Sequence, residues 1–395
     1  MKIKNNVIYT AIVLSTLSGH SFAQVENKPG LTASLEANLA YDDNIFRVVD
    51  ELAESDSFIR AIPEVNFVTA LGKHRVILGY QGDYAKFSDV DSADYDDHIL
   101  NAQIQFDHSL RFSTLVGATY QDLHIDPGSL DRIELGVTEY DQFNRTKFEI
   151  GGSYGSAGSI GRLIGLYEYS DTNYTNNNLD FLDNEASQLS LQFFLKIAPS
   201  TSVYLSTSFQ DSDYNALDGF TEIDNTYIRY VSGISWSISN LIDLDLSIGY
   251  QERDYDNETF LDIDGLAYSG EVSWQLTEHT VIEASALREA QDSTTADVGG
   301  FLRTEFTTYI NHELSSLVTL KAGLLFGQDD VFFANTDGAI REDDRLAYEL
   351  AVDYKLRNNL TVGAGYTHQE RTSDVSIAEF DDNLIELTVK YDFEY

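Results

Sequence analysis

The chain has 395 residues and a formal net charge of −40, with 65 acidic against 25 basic side chains. That acid excess excludes a nucleic-acid binder, which needs a basic footprint. A hydrophobic share of 43% is too high for a disordered chain, and the absence of Cys excludes disulfides and thiolate metal sites.

The first predicted element is a secretory signal peptide over residues 1–23. Lys2 and Lys4 form its positive start, and Val7 to Leu17 its short apolar stretch. Ser21-Phe22-Ala23 supplies the small residues of a cleavage site, with cleavage expected between Ala23 and Gln24. The stretch is too short to anchor in a bilayer as a helix, and no later run reaches that length. The mature chain, residues 24–395, is therefore either soluble after export or crosses a membrane as strands.

From Leu31 onward the pattern is alternation. Ile242, Leu244, Leu246, Ile248 and Tyr250 alternate with Asp243, Asp245, Ser247 and Gly249, and Val318 to Phe326 repeats the scheme. Leu189, Leu191, Phe193 and Leu195 do likewise, with Phe194 as the exception. Successive strand side chains point to opposite faces, so each segment is a strand with one apolar and one polar face. An aromatic recurs late in these runs, as at Tyr80 and Tyr120, which are 40 residues apart.

Two kinds of connection alternate between the strands. Eight short turns are predicted at residues 72–74, 108–110, 157–159, 199–201, 239–241, 277–279, 315–317 and 357–359. Nine longer acidic loops are centred at 42–56, 88–96, 126–140, 173–184, 215–224, 256–264, 293–300, 331–343 and 374–381. These connections join eighteen strands into an all-β, antiparallel, up-and-down transmembrane β-barrel. A sandwich of eighteen such strands would be unusually large, and lipid cannot satisfy an open sheet edge. Eighteen strands also make a barrel wide enough for an aqueous channel. The short turns then face the periplasm and the acidic loops the outside, where carboxylates keep a surface soluble or bridge cations to lipopolysaccharide.

The last strand has the clearest stripe, since Ile385, Leu387, Val389, Tyr391, Phe393 and Tyr395 alternate with five polar residues. It is expected to close the wall against Leu31–Tyr41. Tyr391, Phe393 and Tyr395 read as the signal presented to the barrel-assembly machinery.

Polar positions on the strands define candidate lumen-lining residues. They are Arg75, Arg145, Lys147, Arg229, Arg303, Lys321, Lys355 and Lys390, opposed by Asp83, Glu149, Asp243, Asp245, Glu271, Glu305, Glu349 and Asp353. Two readings remain open for them, namely cross-strand ion pairs that stiffen a wide barrel and a path for a hydrated polymer. The third loop, 126–140, carries Ile133, Leu135 and Val137 and is a candidate constriction. The histidines are scattered and no nucleophile elbow or phosphate loop occurs, so no catalytic residue, metal site or cofactor is assigned. His124, near Asp122 and Asp126, and Asp262-Ile263-Asp264-Gly265, faintly like a calcium loop, are formal candidates only.

The first strand runs into Tyr41-Asp42-Asp43-Asn44-Ile45-Phe46-Arg47, and Pro63 lies inside the second strand. This signature, Y-D-D-N-[IV]-[FY]-R, resembles that of the outer-membrane β-barrel porin family of exopolysaccharide gene clusters (VpsM/EpsL-like). The resemblance implies exopolysaccharide biosynthesis or export, with the barrel as a passive pore or accessory conduit. It implies polysaccharide and export-complex proteins as partners, beside lipid and lipopolysaccharide, and carries over no catalytic residues. The chain departs from some polysaccharide-export barrels in lacking a periplasmic helical repeat domain. A general diffusion porin for small hydrophilic solutes, or a structural or adhesive barrel, would have the same strand pattern. If Tyr391, Phe393 and Tyr395 are an assembly signal, deleting residues 393–395 will abolish the folded, heat-modifiable species on a gel. Normal insertion would contradict that.

Overall fold

Alternating apolar and polar residues leave each strand greasy on one side, and pairing with two neighbours satisfies its backbone. The computed structural model describes residues 29–129, 139–156, 158–215, 222–293, 298–333 and 340–393. Ala23, Gln24, most of the third loop and Tyr395 lie outside these residues.

Eighteen strands follow one another. They begin with β1 (Gly30–Asp42), β2 (Asp56–Leu71), β3 (His74–Phe87), β4 (Tyr95–Asp107), β5 (Phe112–Ile125) and β6 (Asp141–Tyr154). Next come β7 (Gly161–Tyr174), β8 (Asn184–Ala198), β9 (Thr201–Tyr214), β10 (Asn225–Ser239), β11 (Ile242–Tyr255) and β12 (Ile263–Thr277). The last are β13 (Thr280–Asp292), β14 (Val298–Glu313), β15 (Val318–Phe333), β16 (Ile340–Arg357), β17 (Leu360–Ser373) and β18 (Phe380–Phe393).

Every strand pairs antiparallel with its sequence neighbours, and β1 also pairs with β18, so the sheet is closed. The closing register runs from Ala33 opposite Phe393 to Asp42 opposite Leu384. Among the described residues no helix is long and apolar enough to cross a membrane. The wall itself is the crossing element.

Parity decides the faces. Leu246, Ile248 and Tyr250 of β11 are exposed, as are Leu189, Leu191, Phe193 and Leu195 of β8, and together such stripes form the outer surface. Phe194, the exception on β8, faces inward, where its ring meets Tyr204 and the Arg162 guanidinium. Pro63 sits within β2 opposite Leu35 of β1. Lacking an N–H, it coincides with a break in the β2–β3 pairing between Ala61↔Tyr84 and Glu64↔Gln81.

Two expectations need correction. The sequence pattern predicts a loop at 331–343, but residues 331–333 and 340–343 extend the β15–β16 ladder. Val331 packs against Val298 and Phe301 on the inner face, which rewards continuing the strand. The first acidic loop, expected outside in solvent, instead folds into the barrel mouth. Its Asp50, Glu51 and Glu54 are exposed, while Asn44, Ile45 and Phe46 are buried.

The two faces can be tested by one charge moved by one residue. Leu205 is 62% exposed on the outer face of β9, and Ser206 points inward. Leu205→Arg is expected to destabilise the inserted barrel by about 2–4 kcal/mol, the cost of a basic residue at the bilayer midplane. Ser206→Arg should leave it within error of wild type when urea unfolding is measured in lipid vesicles.

Candidate functional site: the polar lumen and its narrowed mouth

Register places the candidate lumen residues on the inner face, opposite the apolar stripes. Arg75 pairs with Gln105, Arg229 with Gln251, Asp245 with Glu271, Glu349 with Gly323 and Lys355 with Thr361. The structure joins Lys321 to Asp353 at 2.7 Å and Lys390 to Glu36 at 3.7 Å. Lys147 reaches Glu168, and Asp83 meets Arg60. Glu149 accepts from Gln103, Asp243 from Ser237, and Asp245 from Tyr204, while Arg145 donates to Thr172. Gly233 makes the Tyr204 contact possible, because a Cβ there would collide with the Tyr204 ring crossing β10.

Charge is concentrated toward the loop end. Arg303 binds Asp329 through two hydrogen bonds, 2.9 and 2.7 Å, and Arg345 joins Glu305 at 2.9 Å. Arg341 grips Asp343, which also accepts from Ser373. Arg371 donates to the Ala378 carbonyl, and Arg253 binds Asn225, Asp292 and the Ala290 carbonyl. Buried charges persist only when paired in this way. Arg60, Arg253, Arg341, Arg345 and Arg371 were not singled out from sequence, although each shares the inner parity of its strand.

A different chemistry lines β8 and β9. Gln188 lies opposite Gln210, Ser190 opposite Ser208 and Gln192 opposite Ser206. This lane of amides and hydroxyls ends, toward the short turns, at the Phe194 and Tyr204 rings.

The mouth is narrowed by two apolar clusters built from loops and the ends of strands. Leu179, Leu182, Ile223 and Phe260 pack on the inward Tyr227, Tyr255 and Ile263. Across the opening, Ile45 and Phe46 pack on Phe58, Phe87 and Tyr140. Phe46 meets Tyr140 edge-on at 5.7 Å, and the Tyr140 hydroxyl donates to the Ile45 carbonyl at 2.9 Å. Burial pushes the Tyr140 phenol well up from its ordinary pKa. The proposed constriction residues Ile133, Leu135 and Val137 lie outside the described residues.

The signature segment is held at many points. The Asn44 side chain donates to the Val48 and Asp381 carbonyls and accepts from the Val48 amide. Asp43 accepts two hydrogen bonds from Asn383, at 2.7 and 2.9 Å. Arg47 adopts a left-handed φ of 49°, uncommon outside glycine. Its guanidinium lies 3.1 Å from Asp382, 3.4 Å from Asp126 and 3.7 Å from Asp42. Burial opposes its charge, yet Asp126, Asp382 and Asp42 outweigh that and hold its pKa above the ordinary arginine value. Gly128 lets loop three approach, since a Cβ would strike the Arg47 stem. Asp42, Asp43 and Asp382 bring carboxylate oxygens within 4.8 Å of one another.

The formal candidates resolve differently. His124 pairs with Asp97, at 2.9 Å, and stacks on Tyr95 and Tyr140. Asp262 accepts from the Tyr255 amide and Asp264 from the Tyr250 hydroxyl, so both carboxylates serve hydrogen bonds. The cluster at Asp382 was missed because its partners are 340 residues apart. The available hint was an apolar Ile45-Phe46 pair inside an acidic loop.

A family model described as "Putative beta-barrel porin 2" matches residues 31–393. The chain belongs to that family. No curated protein matches its sequence. Among solved structures, OpdO from Pseudomonas aeruginosa is 13% identical, with a TM-score of 0.48 over 92% of this chain and 97% of that one. OccAB2 from Acinetobacter baumannii is 12% identical, with a TM-score of 0.49 over 93% and 98%. The siderophore receptor PiuA from Acinetobacter baumannii is 10% identical, with a TM-score of 0.49 over 93% and 82%. The family match and the closed eighteen-stranded sheet, with its apolar outer and polar inner face, make this porin an outer-membrane-type barrel.

Arg47→Gln would leave Asp42, Asp126 and Asp382 without their shared cation. Breaking a buried pair typically costs about 3–5 kcal/mol. The loop should therefore detach from the mouth, and proteolysis between Asp50 and Glu54 should become faster than in wild type while the strands stay protected.

Proposed function

We propose that this porin is a passive conduit for an extended, hydrated sugar polymer, acting in export of a secreted polysaccharide. The observation that carries the reading is the lane on β8 and β9, where the partly exposed Gln188, Ser190, Gln192, Ser206 and Gln210 surround the buried Ser208. Amides and hydroxyls exchange hydrogen bonds with sugar hydroxyls at little net cost, so a chain can advance without being trapped. Toward the short turns the lane ends at the half-buried Phe194, which packs on the buried Tyr204, and an aromatic surface there suits the C–H face of a sugar ring. The charged inner residues are largely engaged with one another, as in Arg303–Asp329 and Lys321–Asp353, which leaves the lane as the less charged part of the wall.

No covalent step is proposed, and the driving force comes from elsewhere in the export machinery. The signature at Tyr41–Arg47 supports the polysaccharide reading through the resemblance it carries, with export proteins meeting the turn end.

The test pairs vesicles with cells. In proteoliposomes, replacing Ser206 and Gln210 by Leu should slow entry of uncharged oligosaccharides several-fold while potassium chloride conductance changes little. In the host, deletion should lower extracellular polymer. If deletion leaves polymer unchanged and both Leu variants pass sugars like wild type, the protein is a general diffusion porin.

A further inference from the structure

Among the described residues, the acidic cluster at the mouth holds more charge than its one arginine compensates. Of those same described residues, Asp42, Asp43 and Asp382 meet there with Asp126 beside them, against Arg47 alone. Two of the carboxylates are oriented by backbone or amide donors, Asp42 by the Asn44 amide and Asp43 by Asn383. Asp382 is different. It is 0% exposed, yet neither of its oxygens accepts a hydrogen bond. Its contact with Arg47, 3.1 Å from Oδ2, is an ion pair without hydrogen-bond geometry, and the Arg47 Nε also finds no acceptor. A buried carboxylate with unused lone pairs, next to two others, calls for a further cation.

We propose that Asp42, Asp43 and Asp382 bind one divalent cation of calcium size. Calcium takes oxygen ligands at about 2.3–2.6 Å, so oxygens on opposite sides of one ion stand roughly 5 Å apart. The 4.8 Å spread of the three carboxylates fits within that limit. Calcium also accepts six to eight oxygens in irregular arrangements, and water at the mouth can complete the shell. Arg47 remains beside the ion, facing Asp126 and the far edge of Asp382.

The position gives the ion a mechanical role. Asp42 ends β1, Asp43 follows it, and Asp382 stands on β18, so the ion bridges the two strands that close the barrel. It would clamp the same seam that Asn383 and Asn44 already lace, and hold the signature segment inside the mouth.

The test uses the full chain, purified in detergent and stripped with a chelator. Terbium luminescence displaced by calcium, and calorimetric titration with calcium or magnesium alone, should report one tight site per chain that prefers calcium. Calcium should raise the temperature at which the folded band is lost. In Asp382→Asn the affinity should fall about tenfold or more, the usual consequence of losing a ligand. The metal-free variant should also resist heat better than metal-free wild type, because a repulsive charge is gone. Asp43→Asn, at a less buried position, gives the same readout should the first variant fail to assemble. Glu51→Gln with Glu54→Gln, in the exposed part of the loop, should bind like wild type. The proposal is overturned if millimolar calcium produces no site and no thermal shift. It is equally overturned if the Asp382 or Asp43 variant binds as tightly as wild type.

Discussion

Closure of the sheet is the constraint on which everything else depends. In hydrocarbon no water is present to satisfy a strand edge, so an open sheet of this size could not reside there. The pairing of β1 with β18 removes the last edges. Once the ring is closed, each strand has one side in lipid and one in the lumen, and the parity of every residue becomes its address. The apolar stripes and the polar remainder are two consequences of one geometric act.

Inside, the wall divides by chemistry. The arc from β14 to β17 carries arginines and carboxylates bound to each other near the mouth, as in Arg303, Asp329, Arg345 and Glu305. They engage one another across β14, β15 and β16. The β8–β9 arc offers neutral donors and acceptors instead. Loop segments then return into the opening and bury apolar side chains that would otherwise lie in water. Ile45 and Phe46 on one side, and Leu179, Leu182 and Phe260 on the other, pack onto inward aromatic residues of the strands. The lumen wall is therefore polar, and described loop segments pack onto it at the loop end.

Much of the wall was readable in the residues. The β11 run Ile242–Tyr250 alternates without exception, and period two leaves only one way to assign its faces. Short turns such as 239–241 separate stripes cleanly, so strand number followed from counting. The lumenal side of Arg303 or Lys321 followed from the same parity. Less was readable at the mouth. Residues 331–343 looked like a loop because their acids and glycine resemble a solvated connection, whereas Val331 is buried against Val298 and Phe301 and keeps the ladder going. Loop one looked uniformly acidic, and only its Ile45-Phe46 pair betrayed an inward fold. His124 sat near two acids in sequence and pairs with a third, Asp97, on the neighbouring strand.

The sequence by itself determined the strand alternation, the number of strands, their faces and the closing role of the last one. Those properties are local, since a side chain's face depends only on its place along its own strand. The tertiary structure alone decided which side chains meet at the mouth. Asp43 and Asn383, or Arg47 and Asp382, lie far apart along the chain, and only closure brings β1 and β18 side by side. Their contact reflects the closed ring, and no local pattern in the chain encodes the distance between them.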